Sequence, residues 1–148
     1  MLSRTGTYAL QAALYLAGVA EGRSVSSVSI ASHLGVPANY LAKVLHRLSR
    51  EGVLVSSRGA QGGYRLQEAP SRVTVASVIA PFQDLGPSPV CLLGGLCDPD
   101  APCPAHERRT AWSSATRLML ERTTLADLIA GNPVSDISPH FEPEEWAS

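Results

Sequence analysis

Residues 36–52, VPANYLAKVLHRLSREG, leave the chain little freedom. Leu41, Val44, Leu45 and Leu48 stand at i, i+3, i+4 and i+7, so a helix gathers them into one apolar stripe. Asn39, Lys43, Arg47 and Arg50 fall mainly on the other side. Pro37 suits the first helical position, where its missing N–H costs nothing, and Gly52 suits the end. One face of this helix needs a core and the other needs water or an anion. A solvated face is the simplest account of such charges, and the neighbouring segments weigh against it.

Just upstream, SSVSIASHLG reads as a short helix with Val28, Ile30, Ala31 and Leu34 inward, stopped at Gly35. A short helix, a tight turn and a basic second helix make a helix-turn-helix, whose second helix enters the major groove of DNA. Downstream, VLVSSR, GAQGG and YRL read as strand, turn and strand, with Gly59, Gly62 and Gly63 freeing the backbone. Arg58 falls at the hairpin tip and Arg65 just beyond it. A glycine loop that cradles a phosphate needs a helix directly after it, and a strand-like YRL follows here. The sequence therefore predicts a winged helix-turn-helix DNA-binding domain over 1–82, mainly α with a small β-hairpin.

Charge agrees with this division. Residues 1–72 carry eight Lys/Arg against three Glu, and residues 73–148 carry four Arg against ten Asp/Glu, so halves of +5 and −6 hide behind a net −1. A basic first half suits a polyanionic partner. Aromatics make up only 5% of the chain, so the core has to be aliphatic. Thr5 to about Glu21 is apolar on nearly every side and reads as a buried first helix. It lacks the charged start and small-residue exit of a signal peptide, and no stretch reaches a membrane span. The expectation is a cytoplasmic protein without membrane contact.

Thr74 can cap a helix VASVIAPFQ with Val75, Val78 and Ile79 inward. A long helix follows over about 104–123, whose Ala111, Trp112, Ala115, Leu118 and Met119 form one stripe suited to pairing with a second copy. Thr124-Leu-Ala-Asp127 reads as a capping-box variant that starts a short closing helix to Ala130. Residues 104–131 are thus expected to form a dimerisation unit, and 132–148 a flexible acidic tail.

Between these helices, residues 83–103 form a loop holding all three cysteines, Cys91, Cys97 and Cys103, with His106 three positions further on. An odd cysteine count in an intracellular chain speaks against a disulfide framework. Free cysteines are usually packed in regular elements, whereas these are interspersed with Asp98, Pro99, Asp100, Pro102 and Pro104. Three thiolates and one imidazole make a four-ligand set for a soft metal centre. Structural zinc favours cysteine pairs two to four apart. The even x5, x5 spacing lacks such a pair, and an iron–sulfur cluster accepts ligands from a longer wrap.

With these residues in view, the chain resembles the IscR/NsrR (Rrf-two) family of bacterial iron–sulfur winged-helix regulators over about residues 1–131. The likeness rests on TGTYALQAALYLA, on GVPANYLAKVLHRLSREGVLVSSRGAQGGYRL, on Cys91-x5-Cys97-x5-Cys103, and on TLADLI before Gly131. It implies a homodimer that binds a partly palindromic operator, with a cluster in each subunit tuning DNA affinity. Cys91, Cys97 and Cys103 stand on the cluster-ligand positions. In the nitric-oxide-sensing branch the fourth ligand is an acidic residue near the N-terminus, where this chain has Tyr8 and no Asp or Glu before Glu21. In the biogenesis branch it is a histidine three residues after the third cysteine, the place of His106. The resemblance thus implies Cys3His ligation of a [2Fe-2S] cluster in preference to [4Fe-4S], with iron–sulfur assembly proteins as further partners. On the DNA side it implies Asn39, Tyr40, Lys43 and Arg47 on the recognition helix and Arg58 on the wing.

Two other functions fit parts of the chain: a cluster-free thiol- or zinc-responsive winged-helix regulator, and an iron–sulfur electron carrier. No constellation of His, Asp and Ser or of paired carboxylates points to an enzyme, and His33, His46 and His140 read as surface or structural residues.

Overall fold

The computed structural model describes residues 2–86, 98, 100–101 and 103–131. The cysteine loop's first two ligand positions, Cys91 and Cys97, and the tail 132–148 lie outside the described residues. The expected architecture is present: helices α1 (Arg4–Ala17), α2 (Ser27–Leu34) and α3 (Ala38–Arg50), a hairpin of β1 (Leu54–Ser57) and β2 (Gly63–Leu66), then α4 (Val75–Ile79), α5 (His106–Arg122) and α6 (Leu125–Gly131).

The core forms where apolar stripes meet. Leu41, Leu45 and Leu48 of α3 are fully buried and Val44 nearly so, against Tyr8, Ala9, Ala12 and Ala13 of α1 and Ile30, Ala31 and Leu34 of α2. Alanines on α1 let the helices approach closely, which suits a chain poor in aromatics. In the hairpin, Leu54 pairs with Leu66 and Val55 with Arg65, antiparallel. Val25 adds a short third edge, exchanging both backbone bonds with Tyr64 at 2.9 and 2.8 Å.

Several boundaries differ from the sequence expectation, each for a local reason. Helix α1 stops at Ala17, not near Glu21, because the chain turns through Gly18 and reverses at Gly22, whose φ is +78°. Pro37 sits just before α3 instead of opening it. Helix α4 ends at Ile79: Ala80 keeps helical backbone and bonds back to the Ala76 carbonyl, but Pro81 has no N–H with which to carry the ladder on. Val28 is 65% exposed, although an inward position was expected. At roughly 100° per residue it lies about 110° from the centre of the Ile30–Ala31–Leu34 stripe, outside the arc α3 covers.

The chain after α4 returns to the head. The amide of Val75 donates to the Thr123 carbonyl and that of Leu125 to the Val73 carbonyl, each at 2.9 Å. Leu125 is fully buried, and α6 packs on α1. The capping box is reciprocal: the Asp127 carboxylate accepts from the Thr124 amide at 2.8 Å and hydroxyl at 2.7 Å, and the Asp127 amide donates to Thr124 Oγ1 at 3.1 Å.

Those bonds, the Thr124 amide first and then its hydroxyl, hold the Asp127 carboxyl below the usual carboxylate range. A lowered folded-state value stabilises the fold above the unfolded-state pKa, and that contribution is lost as pH falls through the folded value. Thermal unfolding followed from neutral pH into the acid range should therefore show a smaller acid-side drop in Tm for Asp127→Asn, which keeps a capping oxygen without the titration, than for the native chain.

Candidate nucleic-acid interface and cysteine loop

Burying the Leu41–Leu48 stripe turns the opposite face of α3 to solvent. Asn39, Lys43, Arg47 and Arg50 are all exposed there. Arg47 forms an i,i+4 ion pair with Glu51 at 3.0 Å, with both side chains about half exposed. Such a surface pair is worth at most about 1 kcal/mol, so a phosphate can readily replace the glutamate. Tyr40 is placed differently from the others. Its hydroxyl lies 2.6 Å from Thr5 Oγ1 at the start of α1, and its ring stands edge-on to Tyr8 at 5.9 Å.

The wing projects beside this face, with Arg58 exposed at its tip. Its glycines answer to space as well as to torsion. Gly59 has φ +102°, and a Cβ at Gly63 (φ +148°) would lie 2.3 Å from the Val25 carbonyl oxygen. Any side chain there would push Val25 off β2 and open the base of the wing.

Of the four expected metal ligands, two are described. Cys103 and His106, both half-buried, stand at the head of α5, and the His106 amide donates to the Cys103 carbonyl at 2.9 Å. That bond closes a turn, so both donors are fixed to the helix start. Among the described residues no three His, Cys, Asp or Glu side chains gather as a metal site. Asp98 uses its carboxylate on the Asp100 amide at 2.9 Å.

One connection was not legible in the sequence. The Ser3 amide donates to Gln83 Oε1 at 2.5 Å, and Ser3 Oγ caps α1. The start of α1 is thereby tied to the entrance of the cysteine loop, and two residues later Thr5 meets Tyr40 of α3. Bonds spanning 80 and 35 residues leave no periodic trace.

The surface of α5 remains open. Trp112 is 67% exposed, Met119 57% and Leu118 46%. Among the described residues, no helix is long and apolar enough to cross a membrane.

Comparison with known proteins agrees with this architecture. Residues 2–131 match the Rrf2 family, described as iron-dependent transcriptional regulators. A candidate HTH-type transcriptional regulator of Aquifex aeolicus (strain VF5) is 36% identical over 132 residues, 87% of this chain and 91% of that protein. Among solved structures, CymR (YrzC), the global cysteine regulator of B. subtilis, superposes with a TM-score of 0.78 at 27% identity, covering 89% of this chain and 98% of its own. IscR of T. potens superposes with a TM-score of 0.69 at 23% identity, over 99% and 96% of the two chains, a likeness of fold. The chain belongs to the Rrf2 family of DNA-binding transcriptional regulators, and is not an enzyme.

Proposed function

We propose that this regulator works as a homodimer whose affinity for operator DNA is set by an iron–sulfur cluster, [2Fe-2S] in preference to [4Fe-4S], held by Cys91, Cys97, Cys103 and His106. The observation that carries this reading is the donor set: three cysteines and a histidine at the spacing of the biogenesis branch, with Cys103 and His106 fixed at the head of α5. Soft thiolates with one imidazole fit such a centre. When bound, the cluster supplies a redox- and iron-dependent cross-link between the loop and α5.

The chain's own residues link that loop to DNA. Gln83 at the loop entrance holds Ser3, and Thr5 on the same helix holds the Tyr40 hydroxyl. A shift at Gln83 therefore acts on the first turn of the recognition helix. Asn39, Lys43 and Arg47 face the major groove in this reading, and Arg58 enters the minor groove, whose negative potential attracts guanidinium. Tyr40 serves there by setting the register of its neighbours. The exposed Trp112, Leu118 and Met119 face of α5 forms the dimer seam, since soluble monomers rarely leave such patches uncovered.

The likeness to a global cysteine regulator favours a second reading, in which the thiols respond without a cluster. Anaerobic purification separates the two. The cluster reading expects a reddish-brown protein with bound iron and sulfide, bleached in Cys97→Ala while the head stays folded, and with altered spectra in His106→Ala. A colourless native protein, or colour and iron unchanged in Cys97→Ala, overturns the ligand assignment.

The DNA face makes its own prediction. Arg47→Ala should weaken binding to all sequences alike and lower the salt slope by about one unit, as expected for one phosphate contact. Arg58→Ala should cost about 1–3 kcal/mol on the operator and less on scrambled DNA. Salt-dependent binding of each variant to both DNAs measures this.

Tyr40→Phe keeps the ring and removes the bond to Thr5. The expected outcome is near-native affinity for non-specific DNA, with a reduced ratio between operator affinities of the cluster-loaded and cluster-free protein. An unchanged ratio would remove Thr5 and Tyr40 from the path.

A further inference from the structure

The cleft between the start of α2 and the wing is lined by two arginines and by no acidic residue. Its cavity, about 580 Å³, is walled by Arg23, Ser24, Ser26 and Ser29 on one side and by Ser57, Arg65 and the wing loop on the other. Two guanidinium groups and four hydroxyls line it, and no carboxylate does. Arg47, Arg72 and Arg117 are each matched to a glutamate one helical turn away. Among the described residues, Arg23 and Arg65 form no ion pair. On their other flank they border a second cleft containing Glu21 and Glu68, but Glu68 is engaged by Arg72 at 3.2 Å.

Backbone geometry puts both arginines there. The register that turns Leu54 and Leu66 to the core turns the next pair, Val55 and Arg65, to the opposite face. Arg23 follows the reversal at Gly22 and directly precedes the Ser24–Val25 segment that pairs with β2. Ser57 Oγ donates to Ser24 Oγ at 3.1 Å, joining the two walls. The cleft is open, and it lies between the segment leading into α2 and the wing; α2 and β1 both pack on α3.

We propose that this cleft seats one backbone phosphate of bound DNA, gripped by Arg23 and Arg65 together. It rests on the DNA-binding reading and is independent of the cluster. A contact of this kind carries no sequence information; it fixes how the recognition helix and wing sit on the duplex. Two arginines on one phosphate also differ measurably from two unrelated surface charges. The salt slope counts phosphates neutralised, at about 0.9 per phosphate on B-DNA.

The test uses the full-length protein and the variants Arg23→Gln, Arg65→Gln and the double variant, with unchanged thermal unfolding as the check on folding. The double variant should lose about one unit of salt slope, not two. It should do so on scrambled DNA as well as on an operator, which separates this site from a failure of operator recognition. A scan of single neutral methylphosphonate substitutions along the duplex should then find one position per half-site that weakens the native protein about tenfold, the scale of a charge-assisted hydrogen bond, and leaves the double variant unaffected. A loss of two units, or a scan in which no position is silenced by the double variant, overturns the proposal. So does an amide-shift titration in which inorganic phosphate saturates the cleft while the scan stays flat, because the cleft then takes a soluble anion. If the native protein binds neither DNA, the DNA-binding reading fails with it, and that outcome is distinct from each of these.

Discussion

The burial of one stripe on α3 decides what the head can present to a partner. Leu41, Val44, Leu45 and Leu48 are sealed between α1, α2 and β1. Each such side chain contributes about 1.5–3 kcal/mol on burial, so the four together supply about 6–12 kcal/mol, a sum comparable to the whole stability of a small domain. A half-turn of α3 would forfeit that sum and bury Lys43 and Arg47 in an aliphatic core, where an unpaired charge is far more costly still. The basic face is therefore held outward by hydrophobic packing. Its function does not have to fix its orientation.

The same packing explains which parts were legible in the sequence. The α3 stripe, the hairpin and the Thr124–Asp127 capping box are local patterns, set within a few residues, and all three stand where the sequence placed them. Val28 misled because it is apolar next to an apolar run, while its angle puts it outside the buried arc. Tyr40 was legible as a residue of the recognition helix, but its partner Thr5 lies 35 residues away and carries no periodic signal. Arg23 shows the same limit from the other side. In sequence it is one cation in a turn, and only the pairing of Val25 with Tyr64 brings it opposite Arg65. All four candidate metal ligands were equally plain in the sequence; of these the structure describes Cys103 and His106, and adds the turn that joins them.

The two ends of α5 adjoin different parts of the chain, and this bears on the proposed regulation. Its C-terminal end is stitched into the head by the Val75–Thr123 and Val73–Leu125 bonds and by the burial of Leu125. Its N-terminal end begins at the Cys103–His106 turn, directly after the cysteine loop. The helix has 17 residues, about 25 Å at 1.5 Å per residue. With one end fixed to the head, a tilt of about 5° displaces the other end by roughly 2 Å over that length. In a dimer seamed along Trp112, Leu118 and Met119, a change in how the loop holds the N-terminal end becomes a change in how the two heads are aimed. Two recognition helices must lie about 34 Å apart, or a multiple of it, to enter successive major grooves, and both must sit correctly at once. A displacement of ångströms at the cysteine loop is then enough to alter operator affinity without any rearrangement of the packed head.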